Sequence, residues 1–360
     1  MFFYVTHAKC NIKRLPLVNK QKFDKFNVFT DTGWKQNGNV LYKGYCIDQN
    51  LNNKVEQKDF SESTGNYVIL DFSDNKCEIY HDDSRSFPMF YNDFVVTNLA
   101  DDSMTPLWFD GSVHFADDKW QYNQRKMQNV IVFDKNHKRY KKEDIVELYC
   151  DYLVKTCSRL PNELPIYCAD SNGVDSTVVR SALDYCGIKY KLVKDNSEFY
   201  SELGWGYRQL YINHTPHIQA TGFCGDEMLL RNPQYAQWLL DADGINLADE
   251  FSKIDYSYMK GFFQSKYLEK MQKNKTEFPD RVNGFEHTAN VMLNDFQMWH
   301  LNNTLTFTPM RNIPIAVECL YADSDAILNQ VIHAGISKDI IKKLNPSNLE
   351  TLSKHKNNYE

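Results

Sequence analysis

The stretch from Leu164 to Leu183 (Leu-Pro-Ile-Tyr-Cys-Ala-Asp-Ser-Asn-Gly-Val-Asp-Ser-Thr-Val-Val-Arg-Ser-Ala-Leu) constrains this chain more than any other. Ile166, Tyr167 and Cys168 read as a short buried strand. After Ala169 and Asp170, the six residues Ser171, Asn172, Gly173, Val174, Asp175 and Ser176 are mostly small, polar or turn-forming. From Thr177 onward the apolar residues Val178, Val179, Ala182 and Leu183 fall at helical spacing. A strand, a tight polar loop and a helix start make an anion site. The first amides of a helix point outward with the positive end of its dipole. Gly173 is expected to supply positive φ and let a phosphate approach the backbone. Ser171, Ser176 and Thr177 add hydroxyl donors. Asp175 would repel a bare phosphate but suits one carrying Mg²⁺.

The chain contains no Gly-x-x-x-x-Gly-Lys-Ser/Thr phosphate loop. The six residues instead resemble the Ser-Gly-Gly-x-Asp-Ser loop of the N-type ATP pyrophosphatases, enzymes that split ATP to AMP and pyrophosphate. Ser171, Gly173, Asp175 and Ser176 match, and Asn172 replaces the first glycine. Asn tolerates left-handed backbone better than other non-glycine residues, so the change is mild. The bland alternative is a βα turn capped by Ser and Asp.

A length of 360 residues points to two domains. The net charge of −6 implies no general basic surface for nucleic acid. Nine cysteines without a C-x-x-C pair are expected to be reduced thiols in a cytoplasmic protein. The start, Met-Phe-Phe-Tyr-Val-Thr-His, is unlike a signal peptide, and no run reaches the ~18 to 20 apolar residues of a membrane span.

Residues 1–135 read mostly as β. Candidate strands lie at 2–6, 40–47, 67–72, 76–80, 89–91, 94–98 and 130–133, so antiparallel sheets, as in a sandwich, are expected. Within them, Gly65-Asn66-Tyr67 followed by Asp82, Pro88 and the pair Phe90-Tyr91 resembles the glutaminase-like domain of the asparagine synthetase B family. The resemblance implies an antiparallel, Ntn-hydrolase-like domain. In that family the nucleophile is a cysteine directly after the initiator methionine, with its own α-amine as base. Here position 2 is Phe2 and the first cysteine is Cys10. A propeptide cleaved before Cys10 would remove the first strand. The expectation is therefore a domain that has lost glutamine hydrolysis, with Cys10 an ordinary thiol.

Residues 135–142 are basic and read as a solvated linker, and 143–160 show helical spacing. After the loop a βα repeat follows, with Gly187 as a helix-ending signal and a strand at 188–193. Ligands of open parallel sheets lie beyond the carboxyl ends of the strands, which brings Val193 near the nucleotide. Adenine contact through the backbone around Leu192 and Val193 is implied by the resemblance.

A second glycine-flanked turn, Thr221-Gly222-Phe223-Cys224-Gly225-Asp226-Glu227, resembles the Ser-Gly-x-Gly-x-Asp-Glu motif of asparagine and β-lactam synthetases. By that match Asp175 and Asp226 hold Mg²⁺ on the pyrophosphate, and Glu227 supports the site. Phe223 stands where that family carries an acid or a tyrosine. The interval between the two motifs is short for an asparagine synthetase, so aspartate is left unsupported as the acid.

Residues 232–275 and 293–302 look helical, with His300 and Trp299 packed. The segment 304–315 corresponds in place to the family's Arg-x-Pro-Phe-Leu-Asp, matching at Pro309, with Arg311 as a substitute charge. In the last helical region, 324–344, the resemblance implies a lysine over the leaving pyrophosphate. Lys338 is the first choice and Lys342 the second; a solvated basic helix end is the alternative.

The fold class expected is α/β plus mainly β. A degenerate glutaminase-like domain (1–135) precedes a parallel-sheet ATP-pyrophosphatase domain of the adenine nucleotide α-hydrolase type (143–350). The resemblance implies an ATP- and Mg²⁺-dependent ligase joining a small-molecule carboxylate to ammonia or an amine through an acyl-adenylate. Two alternatives stay open: a relative that adenylates a nucleobase in nucleic-acid modification, and a non-catalytic binding or scaffold descendant.

Overall fold

The computed structural model describes residues 3–7, 17, 19–61, 63–82, 89–98, 105–106, 111–124, 136–170, 173–194, 217–222, 225, 229–253, 305–307 and 318–352. The chain mixes antiparallel sheets in its amino-terminal half with a parallel sheet and helices in its carboxy-terminal half.

The amino-terminal elements are β1 (Phe3–Thr6), β2 (Asn19–Phe23), β3 (Phe26–Thr30), β4 (Lys35–Asn37), β5 (Val40–Cys46), helix α1 (Leu51–Glu56), β6 (Gly65–Asp71), β7 (Glu78–His81), β8 (Phe90–Tyr91), β9 (Val95–Thr97), β10 (Thr105–Pro106), β11 (Gly111–Ala116) and β12 (Lys119–Gln124). They form two six-stranded sheets, ordered β10-β8-β9-β1-β3-β2 and β12-β11-β7-β6-β5-β4. Side chains on a strand alternate between faces. On β5 and β6, Leu41, Tyr45, Val68 and Leu70 join Phe3, Val5, Phe26 and Val28 in one core. Val40, Tyr42, Cys46, Tyr67 and Ile69 point the other way, against Leu51 and Val55 of α1. The layers are therefore sheet, sheet, helix.

The strands expected at 2–6, 40–47, 67–72, 76–80, 89–91 and 94–98 are present with bounds shifted by a few residues at most. The one expected at 130–133 lies outside the described residues. Strands β2, β3, β4, β10, β11 and β12 were not anticipated. Strand β2 (Asn-Lys-Gln-Lys-Phe) lacks apolar alternation because it is an exposed edge strand. The β11–β12 hairpin turns on Asp117 and Asp118, both left-handed (φ 51° and 58°), where glycine is the usual signal.

In the carboxy-terminal half, α2 (Lys142–Cys157) leads to β13 (Ile166–Asp170), α3 (Val174–Tyr185), β14 (Lys191–Lys194), β15 (Ile218–Ala220), α4 (Pro233–Asp241), α5 (Leu247–Ser252), β16 (Leu305–Phe307), α6 (Ser324–His333) and α7 (Gly335–Leu344). The sheet is parallel throughout, in the order β14-β13-β15-β16. The chain steps outward from β13 to β14, then returns to β15 on the other side of β13. The switch point of the topology is therefore the gap between β13 and β15. Helix α3 buries Val178, Val179, Ala182 and Leu183, the residues whose spacing predicts it, and also Val174, which the sequence placed in the loop. It ends at Gly187, which takes φ +66°. Helix α7 packs along α3 and α2.

Two expectations are corrected. The basic segment before α2 is docked rather than a solvated linker. The Tyr140 amide donates to the Tyr321 carbonyl (2.8 Å), the Tyr140 hydroxyl donates to Glu318 (2.8 Å), and Arg139 pairs with Asp243 (3.2 Å). The last helical region is two helices, broken where Ala334 turns left-handed at φ 51°. Gln330 closes this corner by hydrogen bonds to both the amide and the hydroxyl of Ser337.

The two halves share a core. One apolar cluster runs from Phe3 to Leu352, and Tyr45 of β5 lies buried in it near Tyr152 and Cys157 of α2. Among the described residues no helix is long and apolar enough to cross a membrane.

Candidate functional site

The site is built where two loops leave the carboxyl ends of β13 and β15, at the switch point where open parallel sheets place their ligands. The first loop ends in Gly173, the cap of α3. Gly173 has φ −85° and ψ 158°, so the positive φ expected of it is not used. It is an extended cap that any small residue could adopt. Val174 is the first helical residue, 1% exposed, and anchors the helix start in the core. Ser176 and Thr177 both turn back and donate to the Gly173 carbonyl, at 3.0 and 2.8 Å. Their hydroxyls thus stiffen the first turn instead of serving as anion donors, which corrects the expectation. The first amides of any helix point past its end, with the positive end of the dipole behind them.

The second loop lies directly on the first. A Cβ at Gly222 would sit 2.3 Å from the Asp175 carbonyl carbon and 2.4 Å from the Ser176 nitrogen. A Cβ at Gly225 would sit 2.4 Å from Asp175 Cγ. Both glycines are therefore required by close approach. They are tied to each other by the Gly225 amide on the Gly222 carbonyl (3.1 Å), and the Leu229 amide continues the turn onto Gly225 (3.0 Å). The sequence match places Asp175 and this turn in one site, and the described residues bring them into contact. Ser171, Asn172, Phe223, Cys224, Asp226 and Glu227 lie outside the described residues.

Sequence reasoning missed Arg231. Its guanidinium makes an ion pair with Asp175 at 2.6 Å, with side chains only 12% and 16% exposed. Leu230 just before it is fully buried and left-handed at φ 60°. A branched side chain there costs about 1–2 kcal/mol relative to right-handed backbone. That turn sends the chain back over Asp175 before Asn232 caps α4, accepting from the Tyr235 amide at 3.3 Å. The available signal was an arginine close after the acidic turn and directly before the Asn-Pro of a helix start.

Val193 pairs in register with Ala169, at the carboxyl end of the sheet as expected. Lys338 is half-buried in the second turn of α7, where, after burial, its charge helps to push His333 below its ordinary range. The carboxyl ends of α7 and α3 are joined by Asn345 on Asp184 (2.9 Å), and the two helices overlap along their length. They therefore run in the same general direction, which puts Lys338 toward the amino-terminal end of α3. Lys342 is exposed. Pro309, Arg311, Trp299 and His300 lie outside the described residues.

A Mg²⁺ ion needs oxygen ligands. Asp175 offers a carboxylate at this loop; among the described residues no group of three or more His, Cys, Asp or Glu is gathered that could hold a metal ion. Asp175 is occupied by Arg231 here, so the two cations would compete for it. No family model matches this chain, and no curated protein matches it.

Proposed function

We propose that the chain is an ATP-dependent ligase resembling asparagine synthetase B and its synthetase relatives, with an N-type ATP-pyrophosphatase site and an amino-terminal domain degenerate as a glutaminase. The observation that carries this reading is the contact of Gly222 and Gly225 with Asp175 at the switch point. Two motifs separated by about 50 residues resemble one active site, and a glycine is required at both places where they touch. The sandwich of antiparallel sheets with α1 outside fits an Ntn-hydrolase-like domain. Strand β1 opens on buried Phe3, whose amide donates to Asn98 Oδ1 (2.9 Å).

In the reaction, a carboxylate oxygen of the acid attacks the α-phosphorus of ATP and the bond to the β-phosphate oxygen breaks. Acyl-adenylate and pyrophosphate result. Ammonia or an amine then attacks the acyl carbon, giving an amide, AMP and a proton. The first-turn amides of α3 bind the pyrophosphate portion and orient the α-phosphorus. The tight fit of the second loop on the first keeps water from entering between them. Asp175 and Asp226 would hold Mg²⁺, which neutralises charge on the leaving pyrophosphate, and Lys338 adds a cation at the same end of the helix layer.

The test is ATP–pyrophosphate exchange with Mg²⁺ against a panel of carboxylic acids, with and without ammonium. Exchange or AMP release dependent on one acid is expected, and loss of it in Asp175→Asn by at least about a hundredfold. Absence of nucleotide cleavage under every condition would sink the reading.

A further inference from the structure

Arg231 holds Asp175 through Oδ2, so a divalent cation that takes both oxygens of the carboxylate competes with the guanidinium. The pair is close (2.6 Å) and mostly withdrawn from solvent, so the guanidinium is not an incidental surface partner. Its backbone is fixed from both sides, by the left-handed turn at Leu230 and by the Asn232 cap of α4, which leaves the side chain to move. The carboxylate is fixed too, with Gly225 packed against its Cγ and Gly222 against its backbone. A cation that binds the carboxylate through both oxygens therefore displaces the guanidinium. It displaces it at the amino end of α3, where the nearest incoming negative charge is a bound polyphosphate.

We propose that Arg231 is a phosphate-binding residue, held on Asp175 in the nucleotide-free protein and handed to the pyrophosphate portion of ATP when Mg²⁺ takes that carboxylate. This rests on the ligase reading above and adds a ligand that neither motif contains. The planar fork of arginine suits two phosphate oxygens at once, which a lysine cannot match. The exchange also has an electrostatic logic. In the empty site Arg231 neutralises Asp175, and in the loaded site the metal does, so neither charge is left alone in a semi-buried place. Mg²⁺ and pyrophosphate should then bind with positive coupling, because each removes one partner of the ion pair.

The test uses the full chain and three probes in calorimetry: Mn²⁺ alone, pyrophosphate with Mg²⁺, and AMP. Arg231→Gln is expected to weaken pyrophosphate at least tenfold, to leave AMP within twofold, and to tighten Mn²⁺ alone several-fold by removing its competitor. Arg231→Lys should recover part of the pyrophosphate affinity. A purely structural role for Arg231 would weaken AMP along with pyrophosphate. Equal pyrophosphate affinity in wild type and Arg231→Gln, with ATP cleavage intact in wild type, would overturn the proposal while leaving the ligase reading in place. Wild type that binds neither ATP nor pyrophosphate would overturn both. If Arg231→Gln fails to fold, the comparison of wild type with Arg231→Lys decides: unchanged pyrophosphate affinity there overturns the proposal.

Discussion

At the scale of single residues, the site depends on where a side chain is missing. The neighbours that a Cβ at Gly222 would meet are backbone atoms of Asp175 and Ser176, which cannot rotate away. Overpacking of this kind typically costs about 1–3 kcal/mol and sometimes more. Gly187 offers the control, because a Cβ there meets nothing within 4 Å and pays only for its φ of +66°. Gly222→Ala is therefore expected to lower the urea midpoint by the equivalent of at least about 2 kcal/mol and to abolish exchange. Gly187→Ala should cost about 1 kcal/mol and leave exchange intact. Equal effects would mean that the two loops do not touch as described. Gly222 and Asp175 were legible in the sequence because each sits in a short motif. Arg231 was not, because its meaning comes from a left-handed leucine, and no residue pattern marks a leucine for that conformation.

At the scale of elements, the parallel half was easier to read than the antiparallel one. Helices α2 and α3 each bury a full apolar stripe, so period and length show in the sequence. Edge strands such as β2 and β4 bury almost nothing and leave no alternation to find. The segment before α2 misled for a related reason. Lys138 and Lys141 are exposed, but Tyr140 and Arg139 between them are anchored on Tyr321, Glu318 and Asp243. Burial, and then the hydrogen bond to Glu318, push the Tyr140 hydroxyl up to about 12. A group whose pKa is raised on folding adds stability in full below its unfolded value near 10 and loses it as pH climbs toward 12. Tyr140→Phe is expected to cost about 1 kcal/mol at pH 8, measured by urea unfolding. The gap to wild type should narrow between pH 10 and 11, the highest pH at which both variants are compared. A gap independent of pH would mean that packing of the ring, rather than the hydroxyl, anchors the segment.

At the scale of the whole molecule, the expected boundary at residues 135–143 is crossed by a continuous core. Phe3, Val28, Tyr45 and Val68 belong to the same apolar cluster as Leu153, Val178 and Ile340. Length and the change from β to α/β patterning suggested two bodies, and nothing local in the sequence could show that their apolar faces meet. A shared core makes the halves unfold together, so stabilisation at one end should be felt at the other. Pyrophosphate with Mg²⁺ at a hundred times its dissociation constant adds about 2.7 kcal/mol to whatever unit binds it. Hydrogen exchange of the slowest amides is expected to slow by the same factor, about a hundredfold, in β5 and β6 as in β13. Protection that rises only in the parallel sheet and its helices would mean that the amino-terminal sheets open independently. The part of the cluster around Tyr45, Tyr152 and Cys157 would then be a seam between two separately stable bodies. If protection rises equally in both halves, Tyr45→Ala becomes the variant that uncouples them. It removes a buried ring from the cluster itself, at a cost of about 3–5 kcal/mol by analogy with other buried aromatics. With the seam loosened, the ligand should slow exchange in β13 and leave β5 and β6 unchanged.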